Sequence, residues 1–377
     1  MSAVREPLFH VVKRERAGFL RGVSARLIAI VLALLVSAVF IVLVTDNDPL
    51  AVFAALWEGA MGRSRDVWIT LRDSAILLCI GFAVMPAFRM RFWNTGAEGQ
   101  VLVGCLATAA VMILGVDLPK WALYTLCPLA GVLAGALWGL LPAVFKAVWN
   151  TNETLFTLML NYIATQLVAY CIIFWERTPG SNSVGLINRP VFKKGPLVSG
   201  REGWLPAIDD NEYLLPIIIV LSLAVLLCVY MRYTKQGYEI SVVGESENTA
   251  HYAGISVKKV IIRTMAICGG IAGLAGYMLT AGVGHTISTT IVDGRGFTAI
   301  IVAWLGKLNP FAMILVAFFL VFMEKGSSEI ASAAHLSEQA SEIITGLLLF
   351  FILGCEFFIN YRLEFRKSHK AEEEVKA

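Results

Sequence analysis

Long apolar blocks alternate with short polar segments along most of the chain. A helix needs about 20 predominantly apolar residues to cross the hydrocarbon core of a bilayer. Ten blocks approach that length, which predicts an all-α fold, a polytopic membrane helix bundle of about ten transmembrane helices within residues 27–359. The predicted spans are 27–44, 73–89, 94–115, 121–145, 153–175, 213–231, 261–281, 291–305, 309–324 and 341–359.

The first block, LIAIVLALLVSAVFIVLV at 27–44, follows a basic segment, as the core of a signal peptide does. Its 18 residues exceed the roughly 7–15 of a signal-peptide core, and no A-x-A cleavage pattern follows it. The block therefore predicts a first transmembrane helix that is retained.

Basic residues predict the orientation of the bundle, because lysine and arginine are enriched on the cytoplasmic side of membrane proteins. They cluster in the tails 1–26 and 360–377, so both tails are expected in the cytoplasm, with an even number of spans between them. The hydrophilic segment 232–260 then lies inside, and the Gly/Pro/Ser-rich segment 176–212 forms an external loop.

The polar stretch FWNTGAEGQ at 92–100 interrupts two apolar blocks. One interpretation is local: Thr95 and Glu98 have the T-x-x-E spacing of a capping box that begins the next helix. The other is functional, because an ionisable group inside a membrane marks a functional site by default. The sequence alone leaves both interpretations open.

A similar transition from glycine-rich polar residues to an apolar helix occurs at 293–306, DGRGFTAIIVAWLG. Interrupted helices at corresponding places in two halves mark binding sites in several transporter folds. We therefore expect two pseudo-repeated halves. Small residues at GxxxG spacing (Gly131, Gly135 and Gly139, then Gly269 and Gly273) favour close helix packing inside the subunit over a dimer interface.

Composition excludes several classes of function. The chain is 57% hydrophobic and 16% charged, against about 25% charge in soluble domains. A net charge of +3 gives no basis for nucleic-acid binding. The seven cysteines lie in apolar blocks without metal-type spacing, and neither catalytic groupings nor metal-ligand patterns are visible in the spans.

Four motifs together resemble one family of membrane proteins. They are WNTGAEGQ at 93–100, TLMLNYIA at 157–164, the segment from Gly244 to Ile255 containing AHYAGI, and GRGFTAI at 294–300 followed by LGKLNP at 305–310. The chain resembles the permease subunits of ABC importers for simple sugars, branched-chain amino acids and nucleosides, most closely the nucleoside branch. It differs from that branch at Trp93, Thr95 and Trp304, where phenylalanine, isoleucine and leucine are usual.

The resemblance implies a division of labour among subunits. The chain would form the gated path in the bacterial cytoplasmic (inner) membrane, among membrane lipid. A cytoplasmic ABC ATPase would carry ATP and Mg²⁺, an external solute-binding lipoprotein would deliver the solute, and a second permease, identical or paralogous, would complete the path. No cofactor is expected on this chain, which lacks the phosphate-cradling loop G-x-x-x-x-G-K-S/T.

The same resemblance, with the chemistry of the residues, assigns two groups of candidate site residues. The predicted substrate pathway comprises Trp93, Asn94, Thr95, Gly96, Glu98, Gly99, Gln100, Asn161, Gly296 and Phe297. The predicted ATPase-coupling residues, on a short helix capped at Ser246, are Gly244, Glu245, Asn248, Ala250, Tyr252, Ala253, Gly254 and Ile255.

Other functions stay open at this point. The solute could be a sugar or another small polar molecule instead of a nucleoside. The chain could instead be an ion-coupled secondary transporter, although Glu98 is the one good candidate for an intramembrane coupling carboxylate. Residues 232–260 could also be a simple solvated connection between two spans.

Overall fold

The computed structural model describes residues 9–13, 19–45, 48–115, 118–175, 204–208, 211–333, 361–365 and several positions between 343 and 354. The helices are α1 (Phe19–Thr45), α2 (Pro49–Met61), α3 (Ser64–Arg89), α4 (Ala97–Leu114), α5 (Lys120–Trp149), α6 (Glu153–Trp175), α7 (Leu214–Tyr233), α8 (Lys235–Glu245), α9 (Glu247–Tyr252), α10 (Val257–Met278), α11 (Arg295–Leu305) and α12 (Pro310–Ala333). A π-helical turn, Leu279–Gly284, extends α10.

The helical class predicted from the sequence is confirmed. Among the described residues, seven helices are long and apolar enough to cross a membrane, namely α3, α4, α5, α6, α7, α10 with its π-helical turn, and α12. They correspond to seven of the ten predicted spans. Helix α1 covers the first predicted span, 27–44.

The prediction of a span at 291–305 is wrong. Residues 291–294 form turns, and α11 has only 11 residues. At 1.5 Å per residue it is about 16 Å long, half the thickness of the hydrocarbon core. The sequence pattern also missed α2, an apolar helix of 13 residues. Most of the predicted span 341–359 and of the external loop 176–212 lies outside the described residues.

The chain comprises two compact units. The first comprises residues 1–62 and 323–377 and includes α1 and α2. It also contains two five-residue strands that the sequence did not predict, β1 (Phe9–Lys13) and β2 (Tyr361–Phe365). They pair antiparallel, with Phe9 opposite Phe365, so the two tails of the chain lie side by side.

The second unit, residues 63–322, contains the candidate site and has a glycine-lined core. Helices α5 and α10 cross with their backbones in close approach: a Cβ at Gly135 would overlap the carbonyl oxygen of Gly269, and one at Gly273 would overlap that of Gly131. Neither helix could keep its position with larger residues there. The prediction that the GxxxG steps pack inside the subunit is confirmed.

Candidate functional site

The polar stretch at 92–100 begins with a break between two helices. Helix α3 ends at Arg89, and the chain turns at Met90 and Arg91, where Arg91 has a φ of 60°. The N–H of Phe92 donates to the carbonyl of Ala87 at 2.9 Å, which closes the turn. Residues 92–96 are not helical. We call them the re-entrant segment, because they run back alongside a neighbouring helix.

That neighbour is α11. The indole of Trp93 stacks on Trp304 near the C-terminal end of α11, with ring centroids 5.6 Å apart and an interplanar angle of 24°. Five residues later, the Glu98 carboxylate accepts hydrogen bonds from Gly294 N–H (3.0 Å) and Gly296 N–H (2.7 Å) at the N-terminal end. Side chains from the re-entrant segment and from the first turn of α4 therefore contact the two ends of α11. Gly296 and Trp304 are eight residues apart, so the two contacts are about 12 Å apart along α11.

The capping-box prediction is therefore wrong. Helix α4 is preceded by Gly96, which has no side chain to cap the first turn, so Thr95 is not the N-cap residue. The Thr95 hydroxyl donates instead to the carbonyl of Thr154 at 3.1 Å, in α6. Glu98 caps a different helix, α11, whose positive N-terminal end favours a carboxylate. The T-x-x-E spacing is present, but tertiary partners take both side chains.

Three amides hold the re-entrant segment in place. Asn161, from α6, accepts from Gly99 N–H and donates to the Thr95 carbonyl, both at 2.9 Å. Asn94 and Gln100 exchange two amide hydrogen bonds at 3.3 Å. Asn94 and Gln100 are 0% and 1% exposed and Asn161 is 6% exposed. In this structure their polar groups therefore form hydrogen bonds within the protein.

Two glycines allow the elements to meet. A Cβ at Gly296 would lie 2.5 Å from the backbone nitrogen of Glu98, and one at Gly99 would lie 2.9 Å from the Asn161 amide oxygen. Any larger residue would push α11 or α6 away from the start of α4. The glycines predicted for the pathway thus serve close backbone approach.

One face of this arrangement is open. Phe297, Ile301 and Trp304 lie at positions i, i+4 and i+7 of α11 and are 43–49% exposed. Trp93 is 47% exposed beside them, and Glu98 is partly exposed at the N-terminal end of α11. We call these five residues the pathway face. It combines flat aromatic rings with a carboxylate.

A charged cluster behind α11 was not anticipated. Asp73, 2% exposed on α3, pairs with Arg72 at 2.9 Å and lies 3.9 Å from the Arg295 guanidinium. Asp73 and Arg295 thus link α3 to the first residue of α11. Sequence analysis placed Asp73 at the end of a span, but α3 begins nine residues earlier. Recognising the longer helix would have shown an arginine–aspartate pair within it.

The predicted short helix capped at Ser246, within residues 232–260, is confirmed as α9. The Ser246 hydroxyl accepts from Thr249 N–H at 3.3 Å, as an N-cap does. Tyr252 is 93% exposed. Ile255, by contrast, packs partly against an apolar cluster, and Ala250 is buried. The sequence missed α8, the helix that ends with Gly244 and Glu245.

No group of three or more His, Cys, Asp or Glu side chains suited to a metal ion occurs among the described residues. The described cysteines are free thiols, and four of them are fully buried. The site therefore offers hydrogen bonds, aromatic surface and charge.

Comparison with known proteins identifies the family. The model of the branched-chain amino acid transport system permease component matches residues 68–353. The guanosine ABC transporter permease protein NupP of Bacillus subtilis is 33% identical over 329 residues, 86% of this chain and 91% of that protein. The nucleoside ABC transporter permease protein NupB of Lactococcus lactis is 27% identical over 365 residues, 94% and 97% of the two chains.

A third relative carries a different solute in its name. The glucose ABC transporter permease protein TsgB13 of Haloferax volcanii is 28% identical over 321 residues, 84% of this chain and 83% of that protein. No solved structure matches the chain significantly. The family match covers most of the chain. It begins within the first turns of α3 and extends beyond the end of α12, so all seven membrane-length helices fall within it, apart from the first residues of α3. The chain is therefore a multi-pass membrane protein that belongs to the family of branched-chain amino acid transport system permease components.

Proposed function

We propose that the chain is the permease subunit of an ATP-driven importer in the inner membrane, and that it translocates nucleosides. The observation that carries the solute assignment is the pathway face, which presents two half-exposed indoles near one end of α11 and a carboxylate at the other end. A nucleobase stacks on aromatic rings, and its ribose hydroxyls donate to carboxylates. Two relatives named for guanosine and nucleoside transport support the same solute class.

Charge indicates that the pathway face borders water. Glu98 is partly exposed and Asp293, beside it, is exposed, about 12 Å along α11 from Trp304. Ionisable groups at membrane depth face the bundle interior or a water-filled cavity, because lipid cannot solvate them. The face therefore lines the path or meets a second permease across it.

Within the predicted pathway we assign three roles. Trp93, Glu98 and Phe297 contact the solute transiently, because a conduit must release what it admits. A second role is indirect: the amides of Asn94, Gln100 and Asn161 hold the backbone of the re-entrant segment and the start of α4 in place. Thr95, Gly96, Gly99 and Gly296 let the re-entrant segment, α4, α6 and α11 come together.

The expected partners are inferred from a nucleotide-binding motif that the sequence lacks and from a tyrosine that the structure exposes. Its sequence has no phosphate-cradling loop, so ATP and Mg²⁺ belong to a separate ATPase. Exposed Tyr252 on α9 is the candidate anchor for that ATPase. An external binding lipoprotein and a second permease, identical or paralogous, complete the importer.

Both tails are proposed to be cytoplasmic. They carry the main clusters of lysine and arginine. The antiparallel pairing of β1 with β2 requires the two tails to lie on the same side of the membrane. An even number of crossings would meet that requirement.

Uptake into proteoliposomes tests the proposal. The complete complex, with its ATPase and binding protein, should accumulate radiolabelled guanosine with ATP and stop with a non-hydrolysable analogue. Glucose and leucine serve as alternative solutes. Glucose uptake without guanosine uptake would refute the nucleoside assignment, and guanosine uptake at full rate with the analogue would favour a gradient-driven carrier.

A further inference from the structure

The cytoplasmic segment from α8 to α9 has two parts with different surroundings. On α9 and just after it, Asn248, Tyr252 and Gly254 are exposed. On α8, by contrast, Ile240, Val243 and Gly244 are buried. A segment that only docked an ATPase would have no need for a buried first half. The buried face of α8 must therefore pack against another part of the permease.

Helix α8 packs on the turn that follows α3. A Cβ at Gly244 would overlap the carbonyl oxygen of Arg89 and would lie 3.2 Å from the Cα of Met90. The Arg89 guanidinium donates from Nε to the Ser241 hydroxyl at 3.3 Å, one helical turn earlier. Only glycine at 244 allows the two backbones to come this close.

The same turn leads directly into the re-entrant segment. Met90 and Phe92 are buried in one apolar cluster with Ile240 and Val243 of α8. The next residue is Trp93, which stacks on Trp304. Close-packed interiors transmit strain, because side chains cannot move independently. A displacement of α8 must therefore move the turn and, through it, the indole pair at the C-terminal end of α11.

We propose that Gly244, with Ser241, is a positioning residue that transmits movement of the ATPase to the Trp93–Trp304 pair, while Tyr252 on α9 makes the docking contact. This inference rests on the proposed function, since it needs an ATPase partner. It reassigns Gly244, which the sequence suggested as an ATPase contact. Gly244 packs on the permease's own turn at Arg89 and Met90, which leads to the re-entrant segment, and the exposed side chain that docks lies eight residues later.

Two variants with opposite expected defects test it in the reconstituted complex. Gly244→Ala should still co-purify with the ATPase and hydrolyse ATP, but solute moved per ATP should fall about tenfold, within the usual range for a coupling between sites. Tyr252→Ala should lose ATPase co-purification. Ser241→Ala, which deletes one hydrogen bond and adds no bulk, should lower solute per ATP about two- to threefold without affecting assembly.

The outcomes separate the two proposals. Wild-type solute per ATP in Gly244→Ala, or loss of the ATPase in that variant, overturns the transmission role. If the Gly244→Ala permease itself does not fold and cannot be purified, an unchanged ratio in Ser241→Ala overturns it. The ratio is measured with whichever solute the wild-type complex moves. A wild-type complex that moves glucose alone refutes the nucleoside assignment without affecting this test, and one that moves no solute with ATP overturns both.

Discussion

Replacing Glu98 by glutamine should destabilise the permease, although the change adds no bulk. The carboxylate accepts from two backbone donors, Gly294 N–H and Gly296 N–H, at 3.0 and 2.7 Å. A glutamine side chain has a single acceptor oxygen, and its NH₂ group would point at the second donor. One charge-assisted bond, worth about 1.5–3 kcal/mol, is lost, and the favourable interaction with the N-terminus of α11 disappears.

The structure lets this cost be bounded. Gly294 is exposed, so water can satisfy its N–H, whereas Gly296 is buried. The glutamine oxygen should therefore take the Gly296 donor, which limits the loss to about 2–3 kcal/mol. Asp293→Asn is the matched control: it neutralises a neighbouring exposed carboxylate at a φ of 53°, a conformation that asparagine tolerates. Its expected change is within about 0.5 kcal/mol.

Thermal unfolding of the detergent-purified permease measures both variants. Glu98→Gln should melt several degrees lower, and Asp293→Asn should melt with the wild type. A Glu98→Gln melting temperature equal to that of the wild type would refute the idea that this carboxylate holds α11. Equal losses in both variants would instead assign the effect to net charge.

Three further changes probe the packing and the pathway. Gly273→Ala should make the permease aggregate in size-exclusion chromatography, because α5 and α10 touch at this glycine. Gly270→Ala is the control: its new Cβ would meet its nearest atom at 3.4 Å, so this variant should elute as a single symmetric peak. Asn161→Ala should cost about 2–4 kcal/mol in thermal stability, because one buried and one partly buried backbone group lose their partners. Trp304→Leu should lose about 0.5–1.5 kcal/mol of stacking with Trp93 and raise the KM for guanosine uptake; an unchanged KM would remove the indole pair from the solute path.

Hydropathy alone could locate the long helices, since a bilayer imposes their length and composition. It failed at α11 because residues 291–305 look apolar enough for a span, while the turn-forming Asp293 and Gly294, both at positive φ, delay the helix. The glycine steps at Gly131 and Gly135 could be predicted to pack, because only small residues permit such closeness. Their partners on α10 could be suggested by spacing but not assigned.

The contacts of the candidate site were harder to predict from the sequence than the long helices were. The motif at 93–100 signalled a functional region, yet the capping interpretation for Glu98 failed because its true partners are 196 and 198 residues away. A local pattern cannot report such a distance. Asn94 and Gln100 were predicted by residue type as solute ligands. Their burial shows why polar type is ambiguous: the same amide that could bind a solute can also satisfy backbone left exposed by a broken helix.

The bond between Glu98 and the start of α11 has a consequence for traffic in the reverse direction. Half-helix N-termini in membrane carriers commonly receive anionic groups, but here a resident carboxylate already fills that position, and Asp293 stands exposed beside it. A phosphate monoester carries about −1.5 to −2 charges near neutral pH and would be repelled. Under the proposed role of Glu98 in the solute path, a nucleoside that is phosphorylated after it enters the cell would thus be unable to leave by the same route.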